Sequence, residues 1–187
     1  MSIVVLGVNH KSAPLDVIER VSISHDSLPK SLHGLVSRDH VRETVVLSTC
    51  NRTEVYVVAE KFHGAFADVS DFFCEISGLS VEELQPHFYS QHDDAAISHL
   101  FEVASGLDSA VLGETEILGQ VRDAWEKARS ESTSRTSLNM LFRHALEVGK
   151  RARTETSISK STASVSHAAV EMATDILGTI SGLKVLV

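Results

Sequence analysis

"VVLSTCNRTEVYVV", residues 45–58, sets two apolar runs on either side of an abrupt polar break. Both runs are rich in valine and each is the length of one strand. The break, Ser48-Thr49-Cys50-Asn51-Arg52-Thr53-Glu54, holds residue types that bond to their own backbone in tight turns. The stretch therefore predicts a hairpin, with strands over 43–49 and 54–59 and a cysteine at its tip.

Working outward, residues 3–9 are apolar and β-branched, which predicts a buried strand. Ser24 to Arg38 carries Leu28, Leu32 and Leu35 at helical spacing, with Asp26 or Ser27 as the N-cap. Residues 64–77 place Phe66, Val69, Phe73 and Ile76 on one helical face, and Gly78 ends that helix. Residues 86–91 give a short strand. The resulting order, β-α-β-β-α-β, predicts an α+β protein with a ferredoxin-like split βαβ unit over residues 1–92. From residue 93 the pattern turns wholly helical, over Asp93–Ala104, Glu114–Ser130, Arg135–Thr154 and Ser161–Ile180. Residues 93–181 thus form a second, helical subdomain. Residues 182–187 read as a turn and the start of another strand, so the chain reads as a fragment cut where a further domain begins.

The 187 residues are 43% hydrophobic and 22% charged, ordinary for a soluble globular chain. No apolar run approaches the roughly 18 residues of a membrane span. The N-terminus lacks a basic n-region, and the expected location is the cytoplasm. A formal net charge of −8 argues against a broad phosphate-binding surface but leaves room for a local basic patch. The cysteines are Cys50 and Cys74. No CxxC and no HxxxH spacing occurs, so no metal site is expected.

Cys50 has two readings. A free cysteine is usually a small buried hydrophobe. This one sits at a polar turn, with Arg52 two residues on. A cation near the sulfur raises the thiolate fraction, giving an activated nucleophile. Arg52 in turn could be a surface charge paired with Glu54. Cys74, behind Phe72-Phe73 in a helix, reads as structural.

A second stretch, "HLFEVASGLDSAVLGETEILGQV" at 99–121, has Gly106 and Gly113 around Asp108-Ser109, which suggests a close backbone approach. Glu114, Glu116 and Gln120 follow at helical spacing. They could hold an ammonium or amide of a ligand, or Glu114 could simply stabilise a helix N-terminus. His99 is the nearest histidine that could act as a base. Arg143, Lys150, Arg151 and Arg153 form a basic cluster on one helix. On the residues alone a thiol hydrolase, with His10 or His99 as base, and a non-catalytic RNA- or partner-binding module both stay open.

Several motifs in one order resemble the glutamyl-tRNA reductase family. They are Gly7-Val8-Asn9-His10-Lys11-Ser12-Ala13-Pro14, Ser48 to Glu54, Ala104 to Ser109, Leu112-Gly113-Glu114 through Gly119-Gln120-Val121, and Lys150 to Thr156. The resemblance implies reduction of glutamyl-tRNA(Glu) to glutamate-1-semialdehyde with NADPH, a first step of tetrapyrrole (haem) synthesis. It implies that Cys50 forms a thioester, that Thr49, Asn51 and Arg52 contact the glutamate, and that Ser109, Glu114, Thr115, Glu116 and Gln120 complete the pocket. Arg52 would take the γ-carboxylate, and Glu114 or Glu116 the α-ammonium. His99 matches a histidine important for activity in the family. The chain has no G-x-G-x-x-G, so NADPH would be bound by a domain absent from it. The resemblance further implies a homodimer when full length, through a missing C-terminal domain, and hand-over of product to glutamate-1-semialdehyde aminomutase.

Overall fold

Strands β1 (Ser2–Asn9), β2 (Val41–Ser48), β3 (Arg52–Ala59) and β4 (Tyr89–His92) form one antiparallel sheet. Their order in the computed structural model, which describes residues 1–158 and 165–184, is β2-β3-β1-β4. The α+β class expected from the sequence is what is seen. β3 is central and buried along its whole length, because helices cover both faces of the sheet.

The hairpin is tighter than the polar break suggests. Ser48 pairs with Thr53, and the Thr49 N–H donates to the Arg52 carbonyl at 2.8 Å. Only Cys50 and Asn51 remain at the tip. Arg52 is therefore a strand residue. With the two-residue repeat of a strand it shares a face with Glu54 and Tyr56.

Eight helices accompany the sheet among the described residues. α1 (Leu15–Val21) has no counterpart in the sequence reading. It is a seven-residue helix opened by Pro14 and seated by Ile18 and Val21. α2 (Leu28–Val36) is shorter than expected because residues 24–27 form a turn. α3 (Phe62–Ser77) buries Ala65, Val69, Phe72 and Phe73, and Gly78 ends it in the left-handed conformation, φ 67°. The short α4 (Val81–Leu84) is fixed by a capping box between Ser80 and Glu83. A 3₁₀ turn over Gln85–His87 then delays the last strand to 89–92.

α5 (Asp94–Ser105), α6 (Glu116–Ser130) and α7 (Thr136–Glu155) pack together against the face of the sheet that bears Glu54 and Tyr56. The Tyr56 ring meets Phe142 of α7 edge-on at 5.3 Å. Glu43 of β2 is buried and accepts from the backbone N–H groups of Arg135, Ser137 and Leu138, so a strand carboxylate caps α7. Gly149 lets α7 touch α5; a Cβ there would lie 2.6 Å from the Ala104 carbonyl. The buried apolar residues of both halves form one cluster.

α8 (Val165–Leu177) lies within the last expected helix, whose first residues, 161–164, fall outside the described ones. So do residues 185–187 of the expected final strand, while 182–184 are not strand. Among the described residues no helix is long and apolar enough to cross a membrane.

Candidate active site

The hairpin tip forms one wall of a cleft of about 390 Å³, including its open mouth. Thr49, Cys50, Asn51 and Arg52 line it from the hairpin. Ser109, Ala110, Val111 and Glu114 line it from the loop after α5, and Glu116, Ile117 and Gln120 from α6. Cys50 is exposed at the tip, and its turn is held by the Thr49 Oγ1, which accepts from the Asn51 N–H at 3.2 Å. Cys74 is half-buried in α3, where burial and neighbouring carboxylates push its thiol up.

Beneath the tip lies a buried polar network. Arg52 is 1% exposed. Its Nη1 donates to Glu54 Oε1 at 2.8 Å and to Asp108 Oδ2 at 2.9 Å, and its Nη2 to the Asp108 carbonyl at 2.5 Å. Glu54, fully buried, also accepts from His99 Nε2 at 2.9 Å, Tyr89 at 2.5 Å and Tyr56 at 2.5 Å. Burial opposes the Glu54 charge, but the His99 hydrogen bond and the Arg52 cation outweigh it and hold the carboxyl down at about 2. Burial likewise opposes the His99 cation, yet Glu54 wins and raises the imidazole above its ordinary value. Both tyrosines are pushed up, by burial first and by Glu54 second. Gly7, opposite Glu54 in the sheet, makes room for this cluster: a Cβ there would lie 2.8 Å from the Tyr89 hydroxyl.

Lys11 completes the network with an ion pair to Asp108. The Asn9 side chain fixes the turn carrying Lys11 by accepting from the Lys11 and Ser12 N–H groups. Burial opposes the Asp108 charge, and Lys11 and Arg52 together hold its carboxyl below the ordinary range. Glu54, His99 and Asp108 have ligand atoms within 4.8 Å of one another. Arg52 already answers both carboxylates there, so a metal ion would have to displace a buried guanidinium.

The loop between α5 and α6 is built by distant residues. Gly106 and Gly113 both have positive φ, 78° and 77°, and the Gly113 N–H donates to the Gly106 carbonyl at 2.8 Å. A Cβ on Gly106 would reach 3.0 Å from the Gly113 Cα. Arg153 of α7 staples the loop, donating to the carbonyls of Ala104 at 2.8 Å and Glu114 at 3.0 Å. Glu114 accepts from the N–H groups of Glu116 at 2.8 Å and Ile117 at 3.0 Å, so its carboxylate caps α6. Glu116 is exposed, and no hydrogen bond or ion pair occupies its side chain among the described residues.

The structure thus gathers Thr49, Cys50, Asn51, Arg52, Ser109, Glu114, Glu116 and Gln120 around one cleft. Thr115 is exposed at the N-cap of α6 and does not line it. His99 does not line it either; its Nε2 is tied to Glu54 behind the wall. Arg52 pairs with Glu54, yet as a buried ion rather than a surface one, and no hydrogen bond joins it to the Cys50 sulfur among the described residues. His10 sits beside the tip, its N–H donating to the Asn51 carbonyl at 3.0 Å and its Nδ1 buried without a partner. Burial first, then Arg52 and Lys11, lower its proton affinity. The basic cluster expected on α7 divides: Arg151 pairs with Glu155 and Arg153 turns inward. Sequence reading missed Lys11, Glu54 and Asp108 as site residues. The two-residue strand spacing of Arg52, Glu54 and Tyr56 was the available signal.

Residues 6–156 match the family described as "Glutamyl-tRNAGlu reductase, N-terminal domain". The chain belongs to that family. It is 48% identical over 181 residues to a glutamyl-tRNA reductase of Frankia alni, covering 97% of this chain and 38% of that protein. To the glutamyl-tRNA reductase of Bacillus subtilis it is 44% identical over 187 residues, covering 100% of this chain and 41% of the relative. The solved glutamyl-tRNA reductase from Methanopyrus kandleri superposes with a TM-score of 0.71 at 33% identity, over 92% of this chain and 39% of that one. The chain spans about two-fifths of the length of these relatives.

Proposed function

We propose that this chain is the ester-accepting part of a glutamyl-tRNA reductase, and that Cys50 is its nucleophile. The observation that carries the reading is the cleft itself: an exposed cysteine at a rigid hairpin tip, facing polar residues from a second loop and helix. The Cys50 sulfur attacks the carbonyl carbon of the glutamyl ester. A C–S bond forms, the bond from that carbon to the ribose oxygen breaks, and the thiol proton ends on the departing tRNA hydroxyl. Glu116, whose carboxylate is free, suits the α-ammonium better than Glu114, whose carboxylate is spent on helix amides. The γ-carboxylate is assigned to Arg52, which lines the cleft; to bind it, the guanidinium gives up one of its bonds to Asp108. Thr49, Asn51, Ser109 and Gln120 supply neutral donors and acceptors. His99 acts through Glu54 and Arg52 rather than on the ester. Thr115 serves the helix start.

For the whole protein we propose NADPH as reductant, glutamate-1-semialdehyde as product, and tetrapyrrole synthesis in the cytoplasm as its place. A homodimer and hand-over to an aminomutase belong to the same proposal. The reading that NADPH binds outside this chain is supported by the sheet, which is antiparallel among the described residues and offers no parallel strand–glycine loop–helix turn. No hydride step is assigned to them. We also read residues 1–92 as a ferredoxin-like unit, supported by the strand order and the two helical connections, with 93–181 completing the cleft.

The test follows radiolabelled glutamate from charged tRNA. The 187-residue chain should release free glutamate slowly, as water attacks the thioester, and give no semialdehyde when NADPH is added. Cys50→Ser should lose most of this release, since a serine hydroxyl has no comparable anion near neutral pH. Undiminished release by Cys50→Ser would remove Cys50 from the role.

A further inference from the structure

The described arginines divide into two groups. Arg38, Arg42, Arg52 and Arg151 are paired to carboxylates, and Arg20 and Arg153 donate to carbonyls. Arg122, Arg129, Arg135 and Arg143 have side chains with neither kind of partner among the described residues. All four lie on α6 or on the first half of α7, with Arg135 at the N-cap of α7. In a chain of net charge −8 this is a concentration of unanswered positive charge on one pair of helices.

Two of the four, Arg129 and Arg143, line an open groove between α6 and α7, with Trp125, Thr136, Asn139 and Met140. The groove is built. Trp125 Nε1 donates to Asn139 Oδ1 at 2.8 Å, and the Ser134 hydroxyl donates to the same oxygen at 2.9 Å. The Arg129 guanidinium lies 5.1 Å over the Trp125 ring, which orients it. Met140 is 54% exposed on the groove wall. Asp123 and Glu126, the acidic residues of this stretch of α6, do not line it. Planar guanidinium groups held without carboxylates, beside an aromatic ring, match the phosphates and bases of RNA.

The location matters as much as the chemistry. α6 begins at the Cys50 cleft, with Glu116 and Gln120 on its wall, and reaches Arg129 nine residues later. At 1.5 Å per residue Gln120 and Arg129 are roughly 13 Å apart along the axis. A groove this close to the cleft along one helix is within reach of RNA whose ester end lies at Cys50. We infer that the groove framed by Trp125, Arg129 and Arg143 is a phosphodiester-binding site, which holds the RNA behind the ester presented to Cys50. The inference rests on the proposed function for the identity of the RNA, though not for the anion chemistry of the groove.

The test compares the chain with Arg129→Gln/Arg143→Gln and with Arg129→Lys/Arg143→Lys. Binding of uncharged glutamate tRNA is titrated at several salt concentrations, and release of glutamate from charged tRNA is followed in parallel. The Gln pair should bind at least tenfold more weakly, with a salt slope lower by about two, near one per lost phosphate contact. The Lys pair should keep the slope, and all three proteins should melt alike. Unchanged affinity and slope in the Gln pair, with the wild type still releasing glutamate, would overturn the groove and leave the nucleophile standing. Groove-dependent binding without Cys50-dependent release would do the reverse. Weaker binding with an unchanged slope would also overturn it, because the groove would then take something other than phosphates.

Discussion

The Arg52 guanidinium and the Asp108 carboxylate meet at 2.9 Å, joining the hairpin that carries Cys50 to the loop that faces it. Glu54 holds the other side of the same nitrogen at 2.8 Å. The cleft walls are thus fixed to each other by a buried ion network rather than by chain connectivity, and the geometry of the site depends on that network.

Arg52→Lys tests it. A lysine keeps the charge but has no planar fork, so it cannot serve Glu54, the Asp108 carboxylate and the Asp108 backbone carbonyl together. The chain should lose about 2 kcal/mol of stability, since buried acceptors are left short of donors. Selection of glutamyl over glutaminyl esters should weaken as well. Chemical denaturation and a competition assay read the two effects. Wild-type behaviour in both would make Arg52 a bystander.

The two thiols should differ sharply. Cys50 is exposed at the tip, while Cys74 is half-buried with its thiol pushed up by burial. Iodoacetamide at neutral pH, followed by peptide mapping, should modify Cys50 well before Cys74. Equal labelling of both in the native chain would contradict the site.

Glu114 and Glu116 separate structure from binding. Glu114→Gln removes a charged cap from α6 and should cost about 0.5–1 kcal/mol. Glu116→Gln should leave stability within about 0.5 kcal/mol, as exposed substitutions do. It should instead weaken capture of an ester with a free α-ammonium, and spare one whose amine is acetylated. Equal loss on both esters would show that Glu116 does not read the ammonium.

The hairpin was legible because valine runs flank a polar break, and the residues of the cleft were legible as motifs. The position of Arg52 was not. Every residue from Ser48 to Glu54 is polar or small, so nothing local marks where the turn stops and a buried polar strand begins. α1 escaped because seven residues carry too little periodicity beside a proline. The loop from Gly106 to Glu114 takes its shape from Arg153, about forty residues onward, and from Lys11, about a hundred before. No sequence window contains both. His99 looked like a base in the pocket because its motif adjoins the loop; the fold turns it to Glu54 instead.

The network also predicts how stability follows pH. Glu54 is held at about 2 against an ordinary 4.5, so its contribution is complete above about 4.5 and lost as pH falls toward 2. His99 is raised above 6.5, so its contribution is complete below 6.5 and lost as pH climbs past the raised value. Urea midpoints should therefore be highest between about 4.5 and 6.5 as far as this pair decides them. His99→Gln should flatten the alkaline decline. An unaltered decline in that variant would assign it to other groups.

The account stands on covalent capture at Cys50, and mass spectrometry reads this directly. The chain is mixed with glutamyl-tRNA, quenched in acid and digested. The peptide holding Cys50 should gain the mass of one glutamyl group, the Cys74 peptide should not, and hydroxylamine should remove the adduct as it does a thioester. No adduct on Cys50, while charged tRNA is still consumed, would contradict the account.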